Sequence, residues 1–157
     1  MMKIECSSCK DSVQHCLHTN PELHLSGIPR ETVSLVLIAE NPDTIRYHWV
    51  VYNVPVVEII EEHFQKGINA VNDFAQHDFV VPDPDTVETE PRLIFTVFAI
   101  DVVLNIGGGK GGDDILKAIQ GHILDYAFVE CRFPVEYAME ERRRLFDMSY
   151  LPPGVHD

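Results

Sequence analysis

The side chains able to do chemistry fall into four groups. Near the N-terminus, Cys6-Ser7-Ser8-Cys9 is followed by His15, Cys16 and His18. A Cys-x2-Cys turn can grip one zinc ion, and a mixed sulfur and imidazole set suits tetrahedral zinc. The second half, His15-Cys16-Leu17-His18, does not repeat that spacing. A polar arm carrying thiols is therefore the reading adopted, and neither metal nor cofactor is expected. Further along, His48 follows Asp43 closely. An imidazole can donate to a phosphate or change charge near neutral pH, or serve as a base oriented by a carboxylate. It can equally be a core histidine satisfied by a carbonyl. No Ser-His-Asp or Cys-His order accompanies it. The run Gly107-Gly108-Gly109-Lys110-Gly111-Gly112 invites a phosphate-loop reading. That motif needs Ser or Thr after its Lys to reach magnesium. Here Gly111 follows Lys110, and Asp113 and Asp114 stand where a phosphate would bind, so a strand-to-helix connection is expected. Arg142-Arg143-Arg144 after Glu140-Glu141 reads as a solvated helix face.

The elements that must position these groups belong to an ordinary globular chain. Its 157 residues fit one domain, large enough to bury about two thirds of its unfolded surface without disulfide staples. A formal net charge of −13 repels nucleic acid phosphate and anionic lipid. No apolar run reaches the ~18 residues of a membrane span. The first residues, Met1-Met2-Lys3-Ile4-Glu5-Cys6, lack the apolar centre of a signal peptide, so a cytoplasmic location is expected. The four cysteines are then read as thiols or metal ligands.

Apolar, β-branched runs predict strands over 32–39, 48–56, 93–101 and 127–133. Residues 57–65 are expected to form a short helix that Gly67 stops. Asp113 or Asp114 should cap a second helix carrying Ile115, Ile119, Ile123 and Tyr126 on one face. Pro134 should open a third, running through Met148. On it Val135, Met139, Arg142 or Arg143, and Phe146 recur at helical spacing, a stripe to be buried on its own domain and bordering a homodimer contact. Residues 67–91, with Pro82, Pro84 and Pro91, read as a long functional loop.

Three stretches carry a family resemblance. Asn41-Pro42-Asp43 followed by His48-Trp49-Val50-Val51-Tyr52-Asn53 resembles the Asp-Pro-Asp turn and His-aromatic strand of the phosphatidylethanolamine-binding protein (Raf kinase inhibitor-like) family. Upstream, Pro21-Glu22-Leu23, Ile28-Pro29 and Ser34-Leu35-Val36-Leu37 resemble its lead-in. Downstream, Pro91-Arg92-Leu93-Ile94-Phe95 falls where that family has His-Arg-Tyr-x-Phe, and Gly121-His122 looks like its late Gly-His helix. The likeness covers residues 20–133 and marks a divergent member. It implies a mainly β (α+β) fold, a β-sandwich with peripheral helices. It also implies binding of anionic small molecules and regulation of protein partners such as kinases.

The departures concern the pocket that this resemblance implies. Asn41 replaces the first Asp, Asp43 and His48 are kept, and Pro91 and Leu93 replace the His and Tyr that flank Arg92. The loop's Tyr and Gly-Pro-Pro become Phe79 and the segment through Pro84. An imidazole and a phenol are lost as donors, and the acids Asp83, Asp85, Glu88 and Glu90 are gained, which opposes anion binding. The expected ligand-binding set is Asn41, Asp43, His48, Phe79, Pro84, Pro91 and Arg92, with His48 and Asp43 in one small cavity and Asn41 at its rim. An ion pair between Asp43 and Arg92 is the structural alternative for those two. The expected organisation is a polar Cys-rich arm (1–19), the family-like domain (20–133) and a C-terminal helix and tail (134–157). The expected function is binding or regulation, not catalysis, through an altered phosphate head-group pocket that binds weakly. The rivals are a protein-interaction module with a decayed pocket and a hydrolase built on His48.

Overall fold

The computed structural model describes residues 1–6, 19–82, 91–107 and 109–133. Cys9, His15, Cys16, His18, Gly108, Pro84 and the expected C-terminal helix lie outside the described residues. Among the described residues the strands are β1 (Lys3–Cys6), β2 (Leu23–Ser26), β3 (Ser34–Asn41), β4 (Arg46–Val54), β5 (Ile59–Ile60), β6 (Ile68–Asn69), β7 (Arg92–Ile100) and β8 (Ile123–Arg132), with one helix, α1 (Gly112–Ala118), before β8. They form a three-stranded sheet in the order β1-β2-β5 and a five-stranded sheet in the order β6-β4-β3-β7-β8. Every pairing within these sheets is antiparallel. The expected mainly β architecture is the one found; of the expected peripheral helices, α1 is the one among the described residues.

Alternation of side chains divides two cores. On β7 the odd residues Leu93, Phe95, Val97 and Ala99 are fully buried. With Leu35, Leu37, Trp49 and Val51 they meet Met2, Ile4, Leu23, Leu25 and Ile60 of the smaller sheet. β3 is central and buried on both faces, which is why it reads as an unbroken apolar run. Its other side, Val36 and Ile38, packs with Val50 and Tyr52 against Ile115 of α1 and Ile119 just beyond its end.

Four expectations need correction. Residues 57–65 form no helix; they carry the short strand β5, whose Ile60 pairs with Leu23. Their apolar spacing suits a helix, but the distant partner wins. The helix expected to run through Tyr126 ends at Ala118, because Gly121 adopts φ +82° and turns the chain into β8. Ile123 and Tyr126 are therefore strand residues. The Gly121-His122 pair forms this turn and not a helix: His122 Nδ1 lies 2.9 Å from Asp101 Oδ1, tying the end of β7 to the start of β8. Within the polar N-terminal stretch, Lys3–Cys6 is a paired strand with Cys6 buried in the main core.

Candidate functional site

His48 is placed by a bulge. Across the β3–β4 ladder Ala39 faces Trp49 and Glu40 faces Tyr47, so His48 is the extra residue. It is buried. Its Nδ1 lies 2.7 Å from the Val80 carbonyl, and the Val80 N–H donates back to the His48 carbonyl at 3.1 Å. A carbonyl can only accept, so Nδ1 carries the proton. The ring packs on Phe74 at 4.6 Å. Asn72 completes the latch. Its amide donates to the Asp78 and His48 carbonyls at 2.7 and 3.3 Å, and its oxygen accepts from Phe74 and Gln76. His48 and Asn72 thus pin the segment 72–80 onto β4. Asn72 has no motif to announce it; its role depends on a loop closing back on itself.

The turn from β3 to β4 holds Asn41 and Asp43. Asn41 is buried, and its side-chain oxygen accepts the N–H groups of Asp43 and Thr44 at 2.9 and 3.3 Å. Asp43 points outward and takes a two-pronged bond from Arg92, Nε at 3.1 Å and Nη2 at 3.0 Å. The remaining guanidinium nitrogen of Arg92 donates to Glu130 at 2.9 Å, and Glu130 also meets Arg132 at 2.8 Å. The turn-to-strand ion pair foreseen for Asp43 and Arg92 is therefore present. The Arg92 hydrogen bond holds the Asp43 carboxyl below its usual range, and the two carboxylates raise Arg92 above its own. Glu130 escaped the sequence reading because it becomes a neighbour only through the β7–β8 register.

The other expected residues serve packing. Pro91 is buried and its carbonyl accepts the Phe133 N–H at 2.9 Å. Phe79 stands edge-on to Trp49 at 5.8 Å and stacks on Phe95 at 6.1 Å. Phe79 also borders a cavity of about 270 Å³ whose polar walls include Thr19, Asn20, His63, Gln65 and Asp78. Asn20 is buried there and fully engaged: it donates to the Pro21 and Glu61 carbonyls and accepts from Phe64 and Thr19. Among the described contacts, His48 sits in a buried latch, Asp43 and Arg92 in an exposed ion cluster, and Phe79 and Pro91 in packing positions.

A second polar cluster joins the helix to the sheet. The Tyr47 hydroxyl donates to Asp113 at 2.9 Å and the Tyr47 N–H to Asp73 at 2.7 Å. Burial pushes the Tyr47 phenol well above its usual range, and the bond to Asp113 adds to this. Glu40 is raised as well, first by burial and then by Asp113 and Asp73. At the start of α1, Asp114 accepts the Gly111 N–H at 3.0 Å, so an acid of the chain itself fills the position a phosphate loop leaves for its ligand. Among the described residues no group of three or more metal-binding side chains forms, and no helix is long and apolar enough to cross a membrane.

This fold recurs in known proteins. The family model described as phosphatidylethanolamine-binding protein matches residues 3–134. A UPF0098 protein of Chlamydia trachomatis serovar D is 35% identical over 115 residues, covering 67% of this chain and 75% of that protein. A UPF0098 protein of Pyrococcus abyssi is 30% identical over 122 residues, covering 70% and 68%. Among solved structures, a phosphatidylethanolamine-binding protein homologue from Chlamydia trachomatis superposes with a TM-score of 0.73 at 27% identity, covering 84% of this chain and 96% of that one. The Escherichia coli protein YbcL, described as a member of the mammalian family, shares the fold with a TM-score of 0.73 at 18% identity, covering 85% and 98%. The chain belongs to the phosphatidylethanolamine-binding protein family.

Proposed function

We propose that the chain acts by binding, without turnover, and that its anion site is weakened from inside the fold. The observation that carries this reading is the state of Arg92. The cation retained beside the family-like turn is already held by Asp43 and Glu130 through three hydrogen bonds. An arriving phosphate must compete with both carboxylates. Pro91 and Leu93 offer no side-chain donor, and Phe79 lacks a phenol hydroxyl. His48 already uses its Nδ1–H on the Val80 carbonyl. Phosphate head groups should therefore bind weakly. Regulation of a protein partner is the second reading, favoured by the exposed aromatic side chains of β8.

Calorimetric titration with phosphorylethanolamine tests the first reading. No saturation is expected below about 1 mM, the affinity of a contact worth only about 4 kcal/mol. Freeing the guanidinium with Asp43→Asn and Glu130→Gln together should strengthen binding about tenfold, or 1.4 kcal/mol. A micromolar dissociation constant in the unaltered chain would sink the weakened-site reading, and so would a double variant that binds no better. Ester or phosphate-monoester hydrolysis that disappears in His48→Gln would overturn the claim of no turnover.

A further inference from the structure

Helix α1 hangs between two glycine hinges. On its N-terminal side Gly109 adopts φ +76°, and on its C-terminal side Gly121 adopts φ +82°. A Cβ at either position would meet nothing within 4 Å, and glycine moves between backbone basins without steric cost, so neither flank fixes the helix. With seven residues, α1 is also too short to persist alone. Contact with the sheet holds it. Ile115 and Ile119 pack with Val36, Ile38, Val50 and Tyr52 in the core beneath. The Val71 N–H donates to the Lys110 carbonyl at 2.9 Å, and the Tyr47 hydroxyl donates to Asp113 at 2.9 Å.

The polar half of this seam works against itself. Glu40 continues the face of Val36 and Ile38 along β3 and stands directly opposite Tyr47 on β4. Tyr47 is tied to Asp113 of α1 and to Asp73 of the chain after β6, so three carboxylates act on one phenol. Among the described residues no ion pair reaches Glu40, Asp73 or Asp113. On β7, Arg92 is held by Asp43 and Glu130. On β4, Arg46 lies over the Phe74 ring. Lys110 and Lys117, before and within α1, form no ion pair, and Asp114 caps the Gly111 N–H. Burial first, then the charges of Asp113 and Asp73, raise the Glu40 carboxyl above its ordinary 4.5.

We propose that α1 is a hinged cover set by protons: it seats on the sheet when Glu40 is protonated and loosens when Glu40 ionises toward Asp113 and Asp73. A neutral Glu40 ends both repulsions. An ionised one repels the residue through which Tyr47 holds the helix. Docking is therefore firm below the ordinary 4.5 and weakens as pH rises through the raised Glu40 value. Loosening bares Val36, Ile38 and Val50, so the apolar surface that the chain presents changes while the sandwich stays folded.

Hydrogen exchange of the full chain tests this, run from below the ordinary carboxylate range to about pH 8 and corrected for the intrinsic rate at each pH. The amides of β3 report the whole sandwich. Relative to them, protection of the Ile115 and Ile119 N–H groups, which bond Gly111 and Ile115, should fall about two- to fivefold over that span, the scale of two like-charge neighbours. In Glu40→Gln the fall should vanish, with protection at neutral pH matching the parent's in acid. Asp113→Asn keeps an acceptor for the Tyr47 hydroxyl and removes one repelling charge. It should shrink the fall, and it decides the matter should Glu40→Gln misfold. Protection of α1 that follows β3 at every pH in the parent chain would overturn the proposal. So would a fall that persists undiminished in either folded variant.

Discussion

Ile45 sits at φ +57° with most of its side chain in solvent. A β-branched residue rarely accepts that conformation. It is held there by the turn, because the Ile45 N–H bonds the Asn41 carbonyl at 2.8 Å. Glycine would take the same backbone without steric cost, and no core contact would be lost. Ile45→Gly should therefore stabilise the fold by about 1 kcal/mol in urea denaturation, net of the greater unfolded-state freedom of glycine. Glu40 carries a different cost. Burial, with Asp113 and Asp73 nearby, raises its folded pKa above the ordinary 4.5. A raised carboxyl binds its proton more tightly when folded, so stability is lost as pH climbs through that raised value. Glu40→Gln removes the cost. The variant should be more stable than the parent at pH 7, and the difference should vanish in melts run well below the ordinary carboxylate range. A gain that persists in acid would assign the effect to packing.

At the scale of elements, α1 is docked through one close approach. A Cβ built on Gly112 would stand 2.5 Å from Tyr47 Cδ2 and 2.6 Å from Cε2. Alanine favours a helix over glycine by about 1 kcal/mol, yet here it must push the tyrosine ring aside and break the bond to Asp113. Overpacking of this kind costs roughly 1–3 kcal/mol. Gly112→Ala should thus be net destabilising and should speed hydrogen exchange along α1 more than along β3. The strands β3, β4 and β7 were legible because their burial imposes continuous or alternating apolar patterns. The extent of α1 was not, because Ile115, Ile119 and Ile123 keep helical spacing straight through the turn at Gly121. β5 and β6, two residues each, are too short to carry any period.

For the whole molecule, the fold was more readable than the site. Turn and strand residues such as Asn41, Asp43 and His48 announce themselves locally, and the family resemblance followed from their spacing. What each one touches depends on chain that arrives much later. His48 meets Val80, Asp43 meets Arg92, and Asn53 exchanges two hydrogen bonds with Leu104 at 2.7 and 2.9 Å. Such partners are fixed by topology and register. A sequence motif can name the donor, but only the assembled sheets decide whether that donor faces a ligand or a neighbouring carbonyl.

The same strand order governs how the molecule emerges from synthesis. β3 and β4 are joined by a tight turn, and a hairpin of that kind closes in about 1–10 μs. The other edge of β3 must wait for β7, which ends at Ile100, well after β3 ends at Asn41. At roughly 5–20 residues per second, the ribosome needs about 3–12 s to cover that interval. For those seconds the most fully buried strand of the sheet displays an open ladder. A nascent chain this exposed depends on its translation rate or on a chaperone to reach β7 before another β3 finds it.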